Sequence, residues 1–319
     1  MTTRKFSIVP AGSFSLRESA TFGFGQRVAF GQRVASGADA GDIDDGYDGV
    51  MRMAFCLDGY REQVGVEARQ DSRGVHCLVH GEGDLEAVRA QVARVLSLDH
   101  DGRGFEAIGA RDPVVARLLA VAPGLRPPLF YSPYEAAAWA IISARRPATQ
   151  MAQVRAHLGE QHGRTFELAG QQQSALPTPE QLLAVADFPG LPPEKLARLH
   201  GVARAALDGV LDVDRLMAAG PEPAQQLVQQ IKGIGEFYSS LITVRATGWT
   251  DILPTEEKIA RGLIGQLYGF GAEPTAADVE QLAEAWRPFR TWVVVLIRTA
   301  AGRLTGAEST SSSAQGRLS

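Results

Sequence analysis

The stretch that most clearly suggests chemistry is a glycine hairpin between two helical patterns in the second half of the chain. An apolar helix pattern ends at Ile231, a Lys-Gly-Ile-Gly turn follows over 232–235, and a second helix pattern starts at Glu236. Two glycines separated by one apolar residue permit a sharp turn, and the isoleucine can fill the gap between the helices. The first amides of the second helix have no helical partner, and such amides bind a phosphate oxygen without a basic side chain. The hairpin therefore predicts contact with a phosphate backbone, although an ordinary tight turn between helices is equally compatible with the tetrapeptide.

An acidic segment follows the hairpin closely. It reads Asp251-Ile-Leu-Pro-Thr-Glu-Glu-Lys-Ile259 and opens another helix pattern. Acidic side chains in a first turn stabilise the helix dipole, which alone accounts for Glu256 and Glu257. A carboxylate can also stabilise a positive charge that develops on a substrate during a reaction. The residue types leave both interpretations open.

The elements around these segments predict an α+β fold. Short alternating or β-branched runs at Val50–Cys56, Gln63–Ala68 and Val75–His80, with a strand opening at Phe6–Ala11, indicate strands, and Asp84 caps a helix over Leu85–Leu98. This pattern predicts an N-terminal antiparallel β-sheet domain with covering helices packed on one side, over residues 1–112. Helix patterns punctuated by Pro and Gly continue over 113–305, and the serine-rich residues 306–319 are expected to be disordered.

Composition narrows the functional classes. The chain has 319 residues, 45% of them hydrophobic, and a net charge of −4, which argues against a protein that binds DNA through bulk positive charge. Neither an apolar run of membrane-spanning length nor a secretion signal occurs, so we expect a cytoplasmic protein. Cys56 and Cys77 are expected to be buried apolar residues, and the six histidines lack metal-ligand spacing. A tandem FGQRVA hexapeptide over 24–35 is treated as a local expansion without functional weight.

The hairpin and the acidic segment together resemble the helix-hairpin-helix DNA glycosylases, and most specifically the family of DNA-3-methyladenine glycosylase II. The order and spacing of four further stretches extend the resemblance over most of the chain. They are Pro123-Gly-Leu-Arg-Pro-Pro128, Ser132-Pro-Tyr-Glu-Ala-Ala-Ala-Trp-Ala-Ile-Ile-Ser143, Leu176-Pro-Thr-Pro-Glu-Gln-Leu-Leu183 and Trp286-Arg-Pro-Phe-Arg-Thr-Trp292. The resemblance implies an all-α helix-hairpin-helix glycosylase domain at 113–305. The cysteine motif of the iron–sulfur branch is absent.

The implied activity is base excision repair, in which the N-glycosidic bond of a flipped, damaged base (alkylated or related) is hydrolysed. The family's catalytic aspartate stands two residues after the proline, where this chain has Glu256, which is one methylene longer. Two alternatives follow, a monofunctional glycosylase that uses Glu256 and a lesion-binding protein of the same fold whose site has decayed. A third and weaker alternative is a glycosylase/lyase that uses Lys258, because Phe237 occupies the hairpin position of the lysine nucleophile in bifunctional relatives.

The resemblance also assigns the remaining contacts of a monomer bound to double-stranded DNA with a damaged base. The residues expected to contact DNA, with Arg145 replacing the family's apolar wedge, are Lys232, Gly233, Ile234, Gly235, Phe237, Tyr238, Arg145 and Arg146. The base pocket is expected at Phe237, Leu241 and Arg298, which is less aromatic than in the family and favours neutral lesions. A structural monovalent cation is expected on the carbonyl groups of Gln229, Ile231 and Ile234, with no other cofactor.

Overall fold

The computed structural model describes residues 4–22, 46–254 and 257–315, and it describes side chains as far as Leu304. The duplicated hexapeptide and Glu256 lie outside the described residues.

Four strands form an antiparallel sheet in the order β1-β4-β3-β2. They are β1 (Arg4–Ile8), β2 (Met51–Cys56), β3 (Gln63–Asp71) and β4 (Gly74–His80). Val66 of β3 lies opposite Met53 of β2 and Val79 of β4, so that one row of apolar side chains crosses three of the four strands. Rows of this kind hold the register, because a slip by one residue would turn every side chain to the opposite face. The predicted antiparallel sheet is confirmed.

Strand β2 is covered on both faces. All six of its residues are buried, and neighbouring residues of a strand point to opposite faces. Ala54 packs with Phe166 and Leu168, which belong to a short hairpin of β5 (Thr165–Leu168) and β6 (Gln171–Ser174), whereas Phe55 stacks on Tyr131 with ring centroids 5.1 Å apart. The expectation that the sheet is covered on one side only is therefore wrong at this edge.

Helices make up most of the chain from residue 113 onward, as predicted. Asp84 accepts the amide of Ala87 at 2.8 Å, which confirms the predicted cap. In chain order the helices are α1 (Leu16–Thr21), α2 (Leu85–Val95), α3 (Arg103–Glu106), α4 (Pro113–Val121), α5 (Pro133–Ser143), α6 (Ala148–His162), α7 (Pro179–Leu183), α8 (Pro193–Leu207), α9 (Val213–Ala219), α10 (Pro221–Gln229), α11 (Glu236–Thr247), α12 (Lys258–Tyr268), α13 (Ala276–Ala283) and α14 (Arg290–Gln315).

The chain groups into two compact units that do not follow the predicted boundary at residue 112. The first unit comprises Met1–Val9, Ala20–Asp99 and Pro128–Gly248, and the second comprises Pro10–Ser19, His100–Pro127 and Trp249–Ser319. The sheet and much of the helical region share the first unit because the β5–β6 hairpin packs on β2 and β3. The division into a sheet domain at 1–112 and a helical domain at 113–305 is corrected accordingly.

The C-terminal helix is longer than predicted. The serine-rich composition predicts disorder from residue 306, whereas α14 continues to Gln315. Its first turns contain buried apolar residues such as Val293 and Ile297. Extending an existing helix costs far less free energy than nucleating a new one, so residues of modest propensity can continue it.

Candidate nucleic-acid interface

The glycine hairpin joins α10 to α11 within the first unit, and these two helices pack against each other. Ile231 and Ile234 are buried in the turn, and the amide of Ile234 donates to the carbonyl of Ile231 at 3.0 Å. Lys232, Gly233 and Gly235 are exposed. Ile234 thus fills the gap between the helices, as predicted, while the glycine backbone faces solvent.

Helix α11 begins without a side-chain cap. Gly235 is the residue before its first turn and supplies no side chain, and its carbonyl accepts the amide of Ser239 at 2.9 Å. The three amides between these two residues precede the first helical hydrogen bond, so they remain available at the positive end of the helix dipole. Such amides can donate hydrogen bonds to a phosphate oxygen. Glu236, an exposed acid in this same turn, compensates part of the dipole.

An exposed aromatic ring lies directly beside these amides. The Phe237 side chain is 65% exposed, and its ring stands edge-on to that of Tyr238 with centroids 5.4 Å apart. Leu241 follows one turn later on the same face of α11 and is half-buried. Large exposed aromatic side chains are uncommon in folded proteins and suit contact with a sugar or base.

The loop after α5 presents the two predicted DNA-binding arginines to solvent. Both Arg145 and Arg146 are exposed, and Arg145 has a φ of +58°. The left-handed conformation costs a non-glycine residue about 1–2 kcal/mol, so the surrounding structure must hold it. Lys195 of α8 helps to stabilise this loop conformation. Its Nζ donates to the carbonyls of Ile142 at 2.7 Å and Ala144 at 3.0 Å.

Helix α8 connects this loop with the hairpin. A Cβ atom on Gly233 would lie 2.9 Å from Cδ of Arg198 and 3.0 Å from Cδ1 of Ile141. The aliphatic part of Arg198 therefore lies against the hairpin backbone, while Lys195, one turn earlier, lies against the arginine loop. Sequence reasoning missed both residues, because charges on α8 have the pattern of an ordinary solvated helix face.

These contacts create a local positive surface in a protein whose net charge is negative. Burial, and then the nearby charges of Arg146 and Arg198, lower the pKa of Lys195. We call this the basic surface, and its members are Arg145, Arg146, Lys195, Arg198 and Lys232. The one ion pair that these five side chains form with a described acid joins Arg198 to Glu194 at 2.5 Å.

The acidic segment belongs to the second unit, where the residues on either side of Thr255 and Glu256 are described. The amide of Glu257 donates to the carbonyl of Pro254 at 3.3 Å, and its carboxylate forms an ion pair with Arg298 of α14. Burial lowers the pKa of Arg298. Lys258, the first residue of α12, is exposed.

Asp251 anchors the start of this segment. Its carboxylate forms ion pairs with Arg287 at 2.7 Å and with Arg290 at 2.8 Å. These contacts give Asp251 a structural role.

The architecture is similar to that of solved DNA glycosylases. A 3-methyladenine DNA glycosylase from Archaeoglobus fulgidus is 22% identical with a TM-score of 0.68, over 92% of this chain and 96% of that chain. The structure of MBOgg1 in complex with a low-affinity DNA ligand is 16% identical with a TM-score of 0.67, over 96% of this chain and 97% of that chain. The chain has the fold of the helix-hairpin-helix DNA glycosylases.

Another solved glycosylase structure is similar to this protein over a smaller part of the chain. The apo-form 8-oxoguanine glycosylase/lyase from Clostridium acetobutylicum is 14% identical with a TM-score of 0.57, over 75% of this chain and 85% of that chain. No family model matches the chain, and no curated protein matches it.

Within this glycosylase fold, the residues expected to form the base pocket come from both units. Phe237 and Leu241 lie on α11 in the first unit, and Arg298 lies on α14 in the second. Trp292 is buried and packs against Phe105 at a centroid distance of 5.2 Å, so it is a core residue, as expected.

The carbonyls expected to bind a monovalent cation lie at the end of α10 and in the hairpin of this glycosylase fold. Gln229 is exposed, and the carbonyl of Ile231 already accepts the amide of Ile234. A carbonyl oxygen has two lone pairs, so this hydrogen bond leaves Ile231 able to bind a cation. The cation remains a prediction.

The described residues contain no group of three or more His, Cys, Asp or Glu side chains that could hold a metal ion. Cys56 and Cys77 are free and buried, as expected. No helix in the described part of the chain is long and apolar enough to cross a membrane.

Proposed function

We propose that the protein is a monofunctional DNA glycosylase that hydrolyses the N-glycosidic bond of a damaged base, alkylated or related, in double-stranded DNA. One observation carries the proposal. The uncapped start of α11 and the exposed ring of Phe237 adjoin a basic surface, in a protein with the fold of DNA glycosylases. The amides hold a backbone phosphate, and the basic side chains supply the positive charge that the whole chain lacks.

The proposed reaction requires a base that has left the duplex. Arg145, exposed at the tip of its loop, fills the space that the flipped nucleotide vacates, since its planar guanidinium can stack between bases. The bond between C1′ and the base nitrogen then breaks with its electron pair moving to the base. Water adds to C1′ and passes a proton to the Glu256 carboxylate, which also stabilises the developing positive charge on the sugar.

Hydrolysis without strand cleavage follows from the residue at the start of α11. A lyase step needs an amine that attacks C1′, and this chain carries Phe237 there. The third alternative, Lys258, is exposed at the first residue of α12. Borohydride trapping on abasic DNA would detect an amine adduct, and we expect none.

The hairpin is proposed to hold a monovalent cation on the carbonyls of Gln229, Ile231 and Ile234. Bound there, the cation would fix the turn and strengthen its attraction for a phosphate. Replacing sodium and potassium by choline at constant ionic strength should weaken binding to abasic duplex DNA, and unchanged binding would remove the cation from the proposal. The protein is further proposed to act as a monomer on the bacterial chromosome.

The deciding experiment measures base release from methylated duplex DNA and from duplexes with neutral lesions. We expect release by the wild type, loss of release in Glu256→Gln, and normal release by Glu280→Gln, which changes an exposed acid on α13. Equal release by the wild type and Glu256→Gln would refute the role of this carboxylate.

A lesion-binding protein with a decayed site is the second candidate. The presence of Leu241 and a cationic Arg298 at expected pocket positions favours it, because neither attracts a positively charged base. Tight binding of damaged duplex with no release of any base across the panel would establish this candidate instead of the first.

A further inference from the structure

Helix α8 carries two basic residues on the side that meets both DNA-binding elements. Lys195 and Arg198 are three residues apart, so their side chains share one face of the helix. Lys195 contacts the carbonyls just before the arginine loop, and Arg198 lies against Gly233 of the hairpin. The two residues therefore join elements that the sequence presents as separate.

The hydrogen bonds of Arg198 leave most of its guanidinium unused. Its Nη2 donates to the exposed carboxylate of Glu194, while its Nε is buried without a partner. The Nη1 group makes no hydrogen bond to the described residues, so it can donate to an oxygen ligand.

Lys195 also retains donor capacity. Its ammonium group has three N–H donors, and two of them serve the carbonyls of Ile142 and Ala144. The neighbouring charges of Arg146 and Arg198 disfavour its protonated form. An anion placed among these side chains would relieve the repulsion between them, so the cluster is electrostatically suited to a phosphate.

We propose that Lys195, Arg198 and Arg146 form a second phosphate site, which holds the DNA backbone beside the phosphate bound by the hairpin. This proposal rests on the proposed DNA-binding function. In the free protein Glu194 forms an ion pair with Arg198, and it is displaced when the phosphate binds. The acid thus weakens binding and acts as an internal competitor for the phosphodiester.

The test measures affinity for a duplex containing a tetrahydrofuran abasic analogue, by fluorescence anisotropy over a range of salt concentrations. Arg198→Met keeps the aliphatic contact with Gly233 and removes the charge. We expect it to weaken binding about five- to tenfold and to reduce the salt slope by about one. Arg204→Met is the matched control, because Arg204 is exposed further along α8, and we expect wild-type binding from it.

Glu194→Gln supplies a readout that a purely structural role would not give. Removing the competing carboxylate should tighten binding about threefold, whereas damage to the helix would weaken it. An Arg198→Met variant with the affinity and salt slope of the wild type, or a Glu194→Gln variant that binds more weakly, would overturn the second phosphate site alone. A wild-type protein that binds no duplex would overturn the proposed function together with it.

Discussion

The carboxylate of Glu257 and the guanidinium of Arg298 form an ion pair within the second unit. Glu257 immediately precedes α12 and follows Glu256 in the chain, and Arg298 lies in the buried, apolar part of α14. Arg298 is 45% exposed and Glu257 is 20% exposed. The pair therefore fastens the start of α12 to a helix whose own position is fixed by core packing.

We predict that this pair positions Glu256, the carboxylate proposed to act in catalysis. Glu257→Gln and Arg298→Met should each lower the rate of base release by about tenfold, since a displacement of about 1 Å can cost on the order of a hundredfold. Single-turnover rates at saturating protein isolate this effect from DNA binding. The double variant should be no slower than either single one, because both remove the same contact.

The two single variants also separate positioning from direct contact with the base. If Arg298 met the base itself, Arg298→Met would change the preference among lesions and Glu257→Gln would not. Equal changes for all lesions in both variants would agree with positioning, and unchanged rates in both would contradict it.

The two hairpin glycines are predicted to differ sharply in what they tolerate. Gly233 has a φ of +98°, and a Cβ there would press on Arg198 and Ile141, whereas Gly235 has a φ of −88° and open space around it. Gly233→Ala should lower the free energy of unfolding by about 2–4 kcal/mol through strain and overpacking. Gly235→Ala should cost less than about 1 kcal/mol. Thermal and urea unfolding of the two variants would check this, and equal losses would contradict the described turn.

The sequence predicted well wherever one local pattern was sufficient. The amphipathic pattern and the Asp84 cap predicted α2, and the Gly-Ile-Gly spacing predicted the buried Ile234. Within the region predicted to be helical, α13 ends at Ala283, and a 3₁₀ turn then leads into Pro288. Proline disfavours helical geometry in the residue before it, so this signal was available in the sequence.

Features that depend on distant residues were not predictable. The strands of the β5–β6 hairpin have four residues each, and β6 consists of three glutamines and a serine, which gives no strand pattern. They are held because Phe166 and Leu168 pack on Gly65 of β3. Lys195 and Arg198 likewise gain significance only from the loop and hairpin that the fold brings against α8.

Phe237 is predicted to contribute to DNA binding and little to stability, because its side chain is mostly exposed. Phe237→Ala should weaken binding to the abasic duplex about tenfold, in keeping with the ~1–3 kcal/mol of base–aromatic stacking. Phe270→Ala, which removes another partly exposed ring, is the control and should bind normally. Loss of unfolding free energy in Phe237→Ala without loss of affinity would show that the ring is structural.

Asp112 is predicted to be a principal stabilising residue of the second unit. The side chain is buried, and its Oδ1 caps α4 by accepting the amides of Val114 at 2.9 Å and Val115 at 3.1 Å. Its Oδ2 accepts Tyr268 Oη at 2.6 Å and Trp286 Nε1 at 2.8 Å. Burial and the Asp112 carboxylate both raise the pKa of Tyr268, so the phenol remains a donor at neutral pH.

Asp112→Ala should lower the free energy of unfolding by about 3–5 kcal/mol. The lost cap accounts for about 1 kcal/mol, the buried indole donor of Trp286 left without an acceptor costs about 1–3 kcal/mol, and the half-buried Tyr268 hydroxyl costs about 1 kcal/mol. Asp278→Ala removes the exposed carboxylate that completes the capping box of α13 with Thr275 and should cost only about 1 kcal/mol, which makes it the matched control. Urea unfolding followed by the fluorescence of the four tryptophans measures both losses. Similar losses in the two variants would show that Tyr268 and Trp286 find other acceptors and that Asp112 acts as a cap alone.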